Sequence, residues 1–215
     1  MKIAFLSVLF KRYPLERAFQ VAKEQGYDGV EIWGGRPHAY PFDGDETLYS
    51  SIRRLQDQYQ LEVPMFTPEL LSYPFNISSS DPKTWEETER YLKKSIDFAE
   101  GIGCPRVMFA MGHAGFGTKK SENMLHVVSV IRKMADYANQ ADVNIILEAV
   151  THMESNTVVF LDDLLEILQE VNCPHVKAML DTVTPCVHWE TYTDYFERLG
   201  EKLDYIHFVD CDGEG

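Results

Sequence analysis

The chain has few cysteines, no surplus of positive charge, no long apolar run and no glycine-rich nucleotide-binding turn. Each absence removes a class of protein. Its four cysteines, Cys104, Cys173, Cys186 and Cys211, stand far apart with no pair at C-x-x-C spacing. That pattern fits reduced thiols in a cytoplasmic chain, and neither a disulfide framework nor a zinc ribbon. Lys and Arg number 20 against 34 Asp and Glu, a formal net charge of −14. A nucleic-acid partner needs clustered basic side chains to displace counterions, and an anionic membrane surface attracts the same residues. Neither partner is expected. Met1 leads directly into Lys2-Ile3-Ala4-Phe5-Leu6-Ser7-Val8, too short an apolar stretch for a signal peptide or a membrane span. A cytoplasmic location and a neutral or cationic small-molecule partner are what remain.

What is present is an ordinary globular composition, 45% hydrophobic and 12% aromatic over 215 residues, enough for one sizeable core. Strand and helix patterns alternate from end to end. After the first strand, Leu15, Ala18, Phe19 and Ala22 mark a helix with one apolar face, closed by Gly26. Gly29 to Trp33 reads as the second strand, followed by the irregular loop Gly34-Gly35-Arg36-Pro37-His38. A helix carrying Leu48, Ile52, Leu55 and Tyr59 leads to a third strand near Leu61 to Phe66, and a polar loop then runs from Thr67 to Asp81. Asp81-Pro82 starts the next helix, the carboxylate as N-cap and the proline in its first turn. Arg106 to Met111 is the fourth strand, and Met124 to Ala138 marks the fourth helix. The runs ending at Glu148, Asp181 and His207 are three more strands, separated by helices around Leu161 to Leu168 and His188 to Leu199.

Seven strands and six clear helices with no composition break give one α/β domain over residues 1–215. Strictly alternating units imply a parallel sheet, either doubly wound or closed into a (β/α) barrel of TIM type. The first βα turn, Ser7-Val8-Leu9-Phe10-Lys11, lacks the dinucleotide glycine fingerprint. Polar residues instead sit at strand ends along the whole chain: Glu31, Glu69, His113, Glu148, Asp181 and His207. A barrel brings such ends to one mouth, so the barrel is preferred. An eightfold barrel takes about 250 residues, so the eighth β/α unit is expected to be missing and the domain C-terminally incomplete.

The candidate chemistry lies in Glu148, Asp181 and His207. Val-Asn-Ile-Ile-Leu (143 to 147) is too short and too β-branched for a helix, and it stops at Glu148. Val176 to Leu180 stops at Asp181, and Tyr205-Ile206 runs into His207. Any one of these could simply cap a strand end, but three in succession outline a metal site. Two carboxylates and one imidazole suit one divalent ion, Mn²⁺ first, with Co²⁺, Mg²⁺, Ni²⁺ or Zn²⁺ as the other choices. At the same presumed mouth, His38, His113 and Glu69 are candidates for substrate contact. Arg36 could hold a substrate carboxylate or pair with a surface acid, and Trp33 could form an apolar wall against a substrate or fill the core.

Three segments carry a resemblance. They are Gly26-Tyr-Asp-Gly-Val-Glu-Ile-Trp-Gly-Gly-Arg-Pro-His38, Leu147-Glu148-Ala-Val-Thr-His-Met-Glu154-Ser-Asn156 and Ile206-His207-Phe-Val-Asp210. Over essentially its whole length the chain resembles the xylose-isomerase-like TIM-barrel superfamily of sugar isomerases and epimerases, and most of all its fructoselysine 3-epimerase group. The resemblance implies that Glu148 is both a metal ligand and the group exchanging the substrate proton, with Asp181 and His207 as further ligands. It implies that Glu154 contacts substrate hydroxyls near the reacting carbon. It also implies a metal-dependent epimerase of a ketose or ketose-amine conjugate working through an enediolate, in a family whose barrels often pair as homo-oligomers. Two departures matter. The family's fourth ligand, a glutamate on strand eight that is also the opposite-face acid/base, has no counterpart, and Thr184 and Gly213 stand where many sugar 3-epimerases carry His and Arg. Little epimerase activity is therefore expected of the chain alone. The alternatives are a truncated barrel that binds only metal or a partner, and an aldose–ketose isomerase or dehydratase using the same base and metal. A metal-dependent DNA-repair endonuclease shares the barrel but fits poorly with the acidic charge.

Overall fold

A computed structural model describes residues 1–210; Cys211 and Gly213 lie outside the described residues. The chain forms two compact units. The first comprises Met1–Glu69, Tyr91–Met108 and Gln140–Val143; the second comprises Leu70–Arg90, Phe109–Asn139 and the chain from Asn144 onward. The first holds strands β1 (Ala4–Leu6), β2 (Gly29–Gly34), β3 (Phe66–Pro68) and the start of β4 (Arg106–Ala110), with helices α1 (Leu15–Glu24) and α2 (Glu46–Tyr59). The second holds β5 (Asn144–Glu148), β6 (Val176–Asp181) and β7 (Leu203–His207), with α4 (Lys120–Gln140), α5 (Leu161–Val171), α6 (Val183–His188) and α7 (Tyr192–Leu199). Helix α3 (Pro82–Gly101) contributes a half to each.

Strand order in the sheet is the order of the chain, β1 to β7, and the described pairs are parallel. A doubly wound sheet reverses its strand order at a switch point. Here the order never reverses, which is the topology of a β/α barrel, and the described residues supply seven of the eight strands such a barrel has.

Local sequence explains most of these elements. The stripe Leu15, Ala18, Phe19 and Ala22 is the buried face of α1, and Gly26 follows it at φ +80°, where a side chain would be strained. Asp81 Oδ2 accepts the Thr84 N–H at 2.8 Å, capping α3 just before Pro82. That hydrogen bond favours the charged carboxylate and holds Asp81 below its ordinary range. Ile145, Ile146 and Leu147 are fully buried, as a central parallel strand requires. Cys104 is packed inside, and burial pushes its thiol up to about 12, so it serves as an apolar filler.

Two expectations are corrected. The third strand lies at Phe66–Pro68 instead of starting near Leu61, because Pro64 has no N–H to give to a ladder; only an isolated bridge joins Gly29 and Glu62 there. Thr67 and Pro68 therefore belong to the strand and not to the following loop. The first strand ends at Leu6, and Ser7–Phe10 coil into a 3-10 turn where the first βα turn was expected. Finally, the segment after β6 is two helices, not one. Trp189 takes a left-handed conformation (φ 59°) that ends α6, and Thr191 Oγ1 caps the start of α7 by accepting the Asp194 N–H at 3.2 Å. No helix among the described residues is long and apolar enough to cross a membrane.

Trp189 is 93% exposed, so packing does not offset its left-handed backbone. An L-residue in that region costs about 1–2 kcal/mol, against about 0.5–1 kcal/mol of extra chain entropy for glycine. Trp189→Gly is expected to raise stability in urea unfolding, by up to about 1 kcal/mol. A loss of more than about 1 kcal/mol would show that the indole packs on the fold.

Candidate metal centre

Strands β5, β6 and β7 each end in one of the three candidate ligands. β5 is anchored by its buried Ile145, Ile146 and Leu147, which leaves Glu148 at the end of the strand, itself only 6% exposed. β6 is fixed in the same way by Ala178, Met179 and Leu180 ahead of Asp181. β7 reaches the site by an irregularity. Ala178 pairs with Leu203, but Met179 pairs with Tyr205, so one extra residue is accommodated in β7. An unbroken register would set Ile206 opposite Asp181; the bulge sets His207 there instead.

The ligand atoms of Glu148, Asp181 and His207 all lie within 4.8 Å of one another. His207 Nδ1 is 3.3 Å from Glu148 Oε1 and 3.8 Å from Asp181 Oδ2. Asp181 Oδ1 accepts the Val183 N–H at 2.8 Å, which orients the carboxylate with Oδ2 toward the imidazole. A divalent ion holding such donors at about 2.1 Å spaces them roughly 3 to 4 Å apart, so these distances need only small side-chain rotations. Two hard carboxylates and one imidazole fit Mn²⁺, Co²⁺, Mg²⁺ or Zn²⁺ by donor type. The residues fit a divalent ion.

The remaining candidates fall into two groups. His113 and Glu154 share the second unit with the three candidate ligands. His113 Nδ1 accepts the Gly115 N–H at 2.9 Å, and its ring meets Phe116 edge-on at 4.8 Å. The exposed Glu154 caps its own turn, its Oε2 accepting from the N–H and hydroxyl of Thr151 at 3.0 and 2.8 Å. Trp33, Arg36, His38 and Glu69 belong to the first unit. The Trp33 indole N–H donates to Glu69 Oε2 at 3.3 Å. Arg36 pairs its Nε and Nη2 with Asp43, each at 2.6 Å, and lies over the Tyr40 ring at 4.5 Å. Those bonds to Arg36 hold the Asp43 carboxyl below its ordinary range.

His38 is 3% exposed and fully engaged. Its Nε2 is 3.1 and 3.0 Å from the carbonyls of Phe10 and Tyr13, so Nε2 carries the proton. Ser7 Oγ accepts the Trp33 N–H at 2.9 Å and lies 3.2 Å from His38 Nδ1, to which it donates. His38 thus ties the turn after β1 to the loop after β2.

The family model of the xylose isomerase-like TIM barrel matches residues 19–215. The chain belongs to that family. A fructoselysine 3-epimerase of Shigella flexneri is 35% identical over 213 residues, spanning 99% of this chain and 77% of that protein. An L-ribulose 3-epimerase of Methylomonas sp. (strain DH-1) is 28% identical over 89% of this chain and 65% of its own length. Among solved structures, a D-allulose 3-epimerase from Methylomonas sp. superposes with a TM-score of 0.82 at 24% identity, covering 96% of this chain and 71% of that one. That structural likeness speaks for the fold alone.

Within this family member, sequence reading overlooked a set of loop ties around the site. Asn156 Oδ1 accepts the Ala114 N–H at 2.9 Å, and its Nδ2 donates to the Gly115 carbonyl at 2.7 Å. Ser155 Oγ donates to the Gly112 carbonyl at 3.1 Å, and Asn76 Nδ2 donates to the His113 carbonyl at 2.9 Å. The loops after β3, β4 and β5 are thereby stitched side chain to main chain. Asn and Ser in loops are common for many reasons, so only the pairing of Ser155-Asn156 beside a strand-end acid could have hinted at this.

Replacing His38 by Ala strips the Phe10 and Tyr13 carbonyls and the Ser7 hydroxyl of their buried partner. A loss of about 2–4 kcal/mol in denaturant unfolding is expected. A change below about 0.5 kcal/mol would contradict the clamp.

Proposed function

We propose that the chain is a divalent-metal-dependent sugar epimerase or isomerase. Its substrate class is a ketose or a ketose-amine conjugate of the fructoselysine kind, and the centre inverted is C3. The observation that carries this reading is the meeting of Glu148, Asp181 and His207 at the ends of three consecutive strands. The names of the relatives support the substrate class.

The C–H beside a ketone is weakly acidic, so its removal needs a positioned base and a way to spread the charge that appears on oxygen. A bound divalent ion supplies the second requirement by polarising the carbonyl oxygen. Glu148, Asp181 and His207 would hold it. Glu148 supplies the first requirement: its carboxylate takes the C3 proton and returns one to the same carbon. The side chain is 8% exposed, which limits competing water at the base. His207 Nδ1, 3.3 Å from Glu148 Oε1, helps to orient that carboxylate. Inversion also needs an acid on the opposite face of the substrate, while exchange of the C3 hydrogen with solvent needs only one.

That distinction selects the test. In D₂O with Mn²⁺ and fructoselysine or a free ketohexose, the C3 proton signal is expected to disappear in NMR, and to persist with EDTA. Glu148→Gln should slow the exchange by about 10²-fold or more. Exchange that is independent of metal, or equal in the variant, would overturn the proposal.

A further inference from the structure

Regular pairing between β6 and β7 stops at Asp181 and His207, and just beyond it one side chain takes over. Thr182 Oγ1 donates to the Val209 carbonyl at 2.6 Å and accepts the Val209 N–H at 2.9 Å. The Thr182 main-chain N–H donates to the His207 carbonyl at 3.0 Å. A single residue thus holds the chain on both sides of Phe208, as a further rung of the ladder would. Apolar packing gives this segment little help. Phe208 is 91% and Val209 51% exposed, and β7 itself is only partly buried.

We infer that Thr182 is a positioning residue for the metal centre, acting through His207. This inference rests on the metal-dependent reading above. The imidazole must stay 3.3 Å from Glu148 and 3.8 Å from Asp181 to serve as the third donor. It hangs from a partly buried strand, after a bulge, at the point where main-chain pairing ends. Adjacency completes the logic. Thr182 directly follows the ligand Asp181 and grips the residues that follow the ligand His207, so its hydroxyl locks two donors to one another. Tyr192 adds a hydrogen bond from its hydroxyl to the Thr182 carbonyl at 3.0 Å, tying this clamp to α7.

The chemistry of the side chain makes the inference testable. Valine keeps the shape of threonine and loses the hydroxyl; serine keeps the hydroxyl and loses the methyl. The Val209 groups that Thr182→Val releases are on an exposed segment, where water can satisfy them, so the fold should survive. The purified 215-residue chain is titrated with Mn²⁺ alone by calorimetry, with unfolding followed in EDTA. The same proteins are loaded with Co²⁺ and their visible spectra compared. The wild-type chain is expected to bind one Mn²⁺. Thr182→Val should bind it about 10- to 100-fold more weakly, as loss of supporting partners does at metal sites, with its metal-free melting temperature nearly unchanged. Thr182→Ser should bind within about threefold of wild type and keep the wild-type Co²⁺ spectrum. Wild-type affinity in Thr182→Val would overturn the inference, and so would a Thr182→Ser as weak as Thr182→Val, since packing and not the hydroxyl would then be responsible. Wild-type chain that binds no Mn²⁺, or binds it no better than His207→Ala, would remove the metal centre itself and the inference with it.

Discussion

Two carboxylates, Glu148 and Asp181, are held within 4.8 Å of one another and of an imidazole at the edge of a buried sheet. Bringing like charges to that separation costs about 3–4 kcal/mol at an effective dielectric near 20. Folding imposes this through apolar burial: Ile145 to Leu147 and Ala178 to Leu180 cannot leave the interior, so the acids that end their strands cannot move apart. A divalent ion turns the same geometry from repulsion into attraction. In the proposed reading chemistry and stability are therefore linked at this point, since the arrangement that brings two carboxylates together is the one that would grip a cation and aim a base.

The supporting features each solve a problem this arrangement creates. Glu148 and Asp181 come from two well-buried strands, but β7 is partly exposed. The bulge in β7 corrects its register so that the imidazole and not Ile206 lies opposite Asp181. Thr182 then holds the chain past the imidazole. Farther out, Asn76, Ser155 and Asn156 bind the loops after β3, β4 and β5 to one another. Polar side chains do in the loops what apolar burial does in the strands.

The alternation of strands and helices was legible in the sequence because period and punctuation agreed. Buried runs ended in acids, Asp81-Pro82 announced a helix, and Gly26 closed one. The meeting of Glu148, Asp181 and His207 was legible for the same reason, since a buried run that stops at a carboxylate or an imidazole, three times in succession, sets those groups side by side at one sheet edge. What escaped had no local signature. A one-residue bulge leaves no mark in the composition of Leu203 to His207. Pro64 displaced β3 by removing one donor, while the apolar pattern around it still read as a strand. The break at Trp189 depends on a left-handed backbone that a bulky residue rarely adopts, and a single helix was the natural expectation. His38 and Arg36 show the limit for polar residues: a histidine and an arginine in a glycine-rich loop carry no mark of their partners within the chain, which are two carbonyls and an aspartate.

The most direct measurement is anomalous diffraction from crystals of the chain grown with Mn²⁺, recorded near the manganese edge. One peak is expected, about 2.1 Å from a carboxylate oxygen of Glu148, a carboxylate oxygen of Asp181 and Nδ1 of His207. Full occupancy of Mn²⁺ at a different place, with none of those three side chains within coordination distance of it, would contradict the assignment.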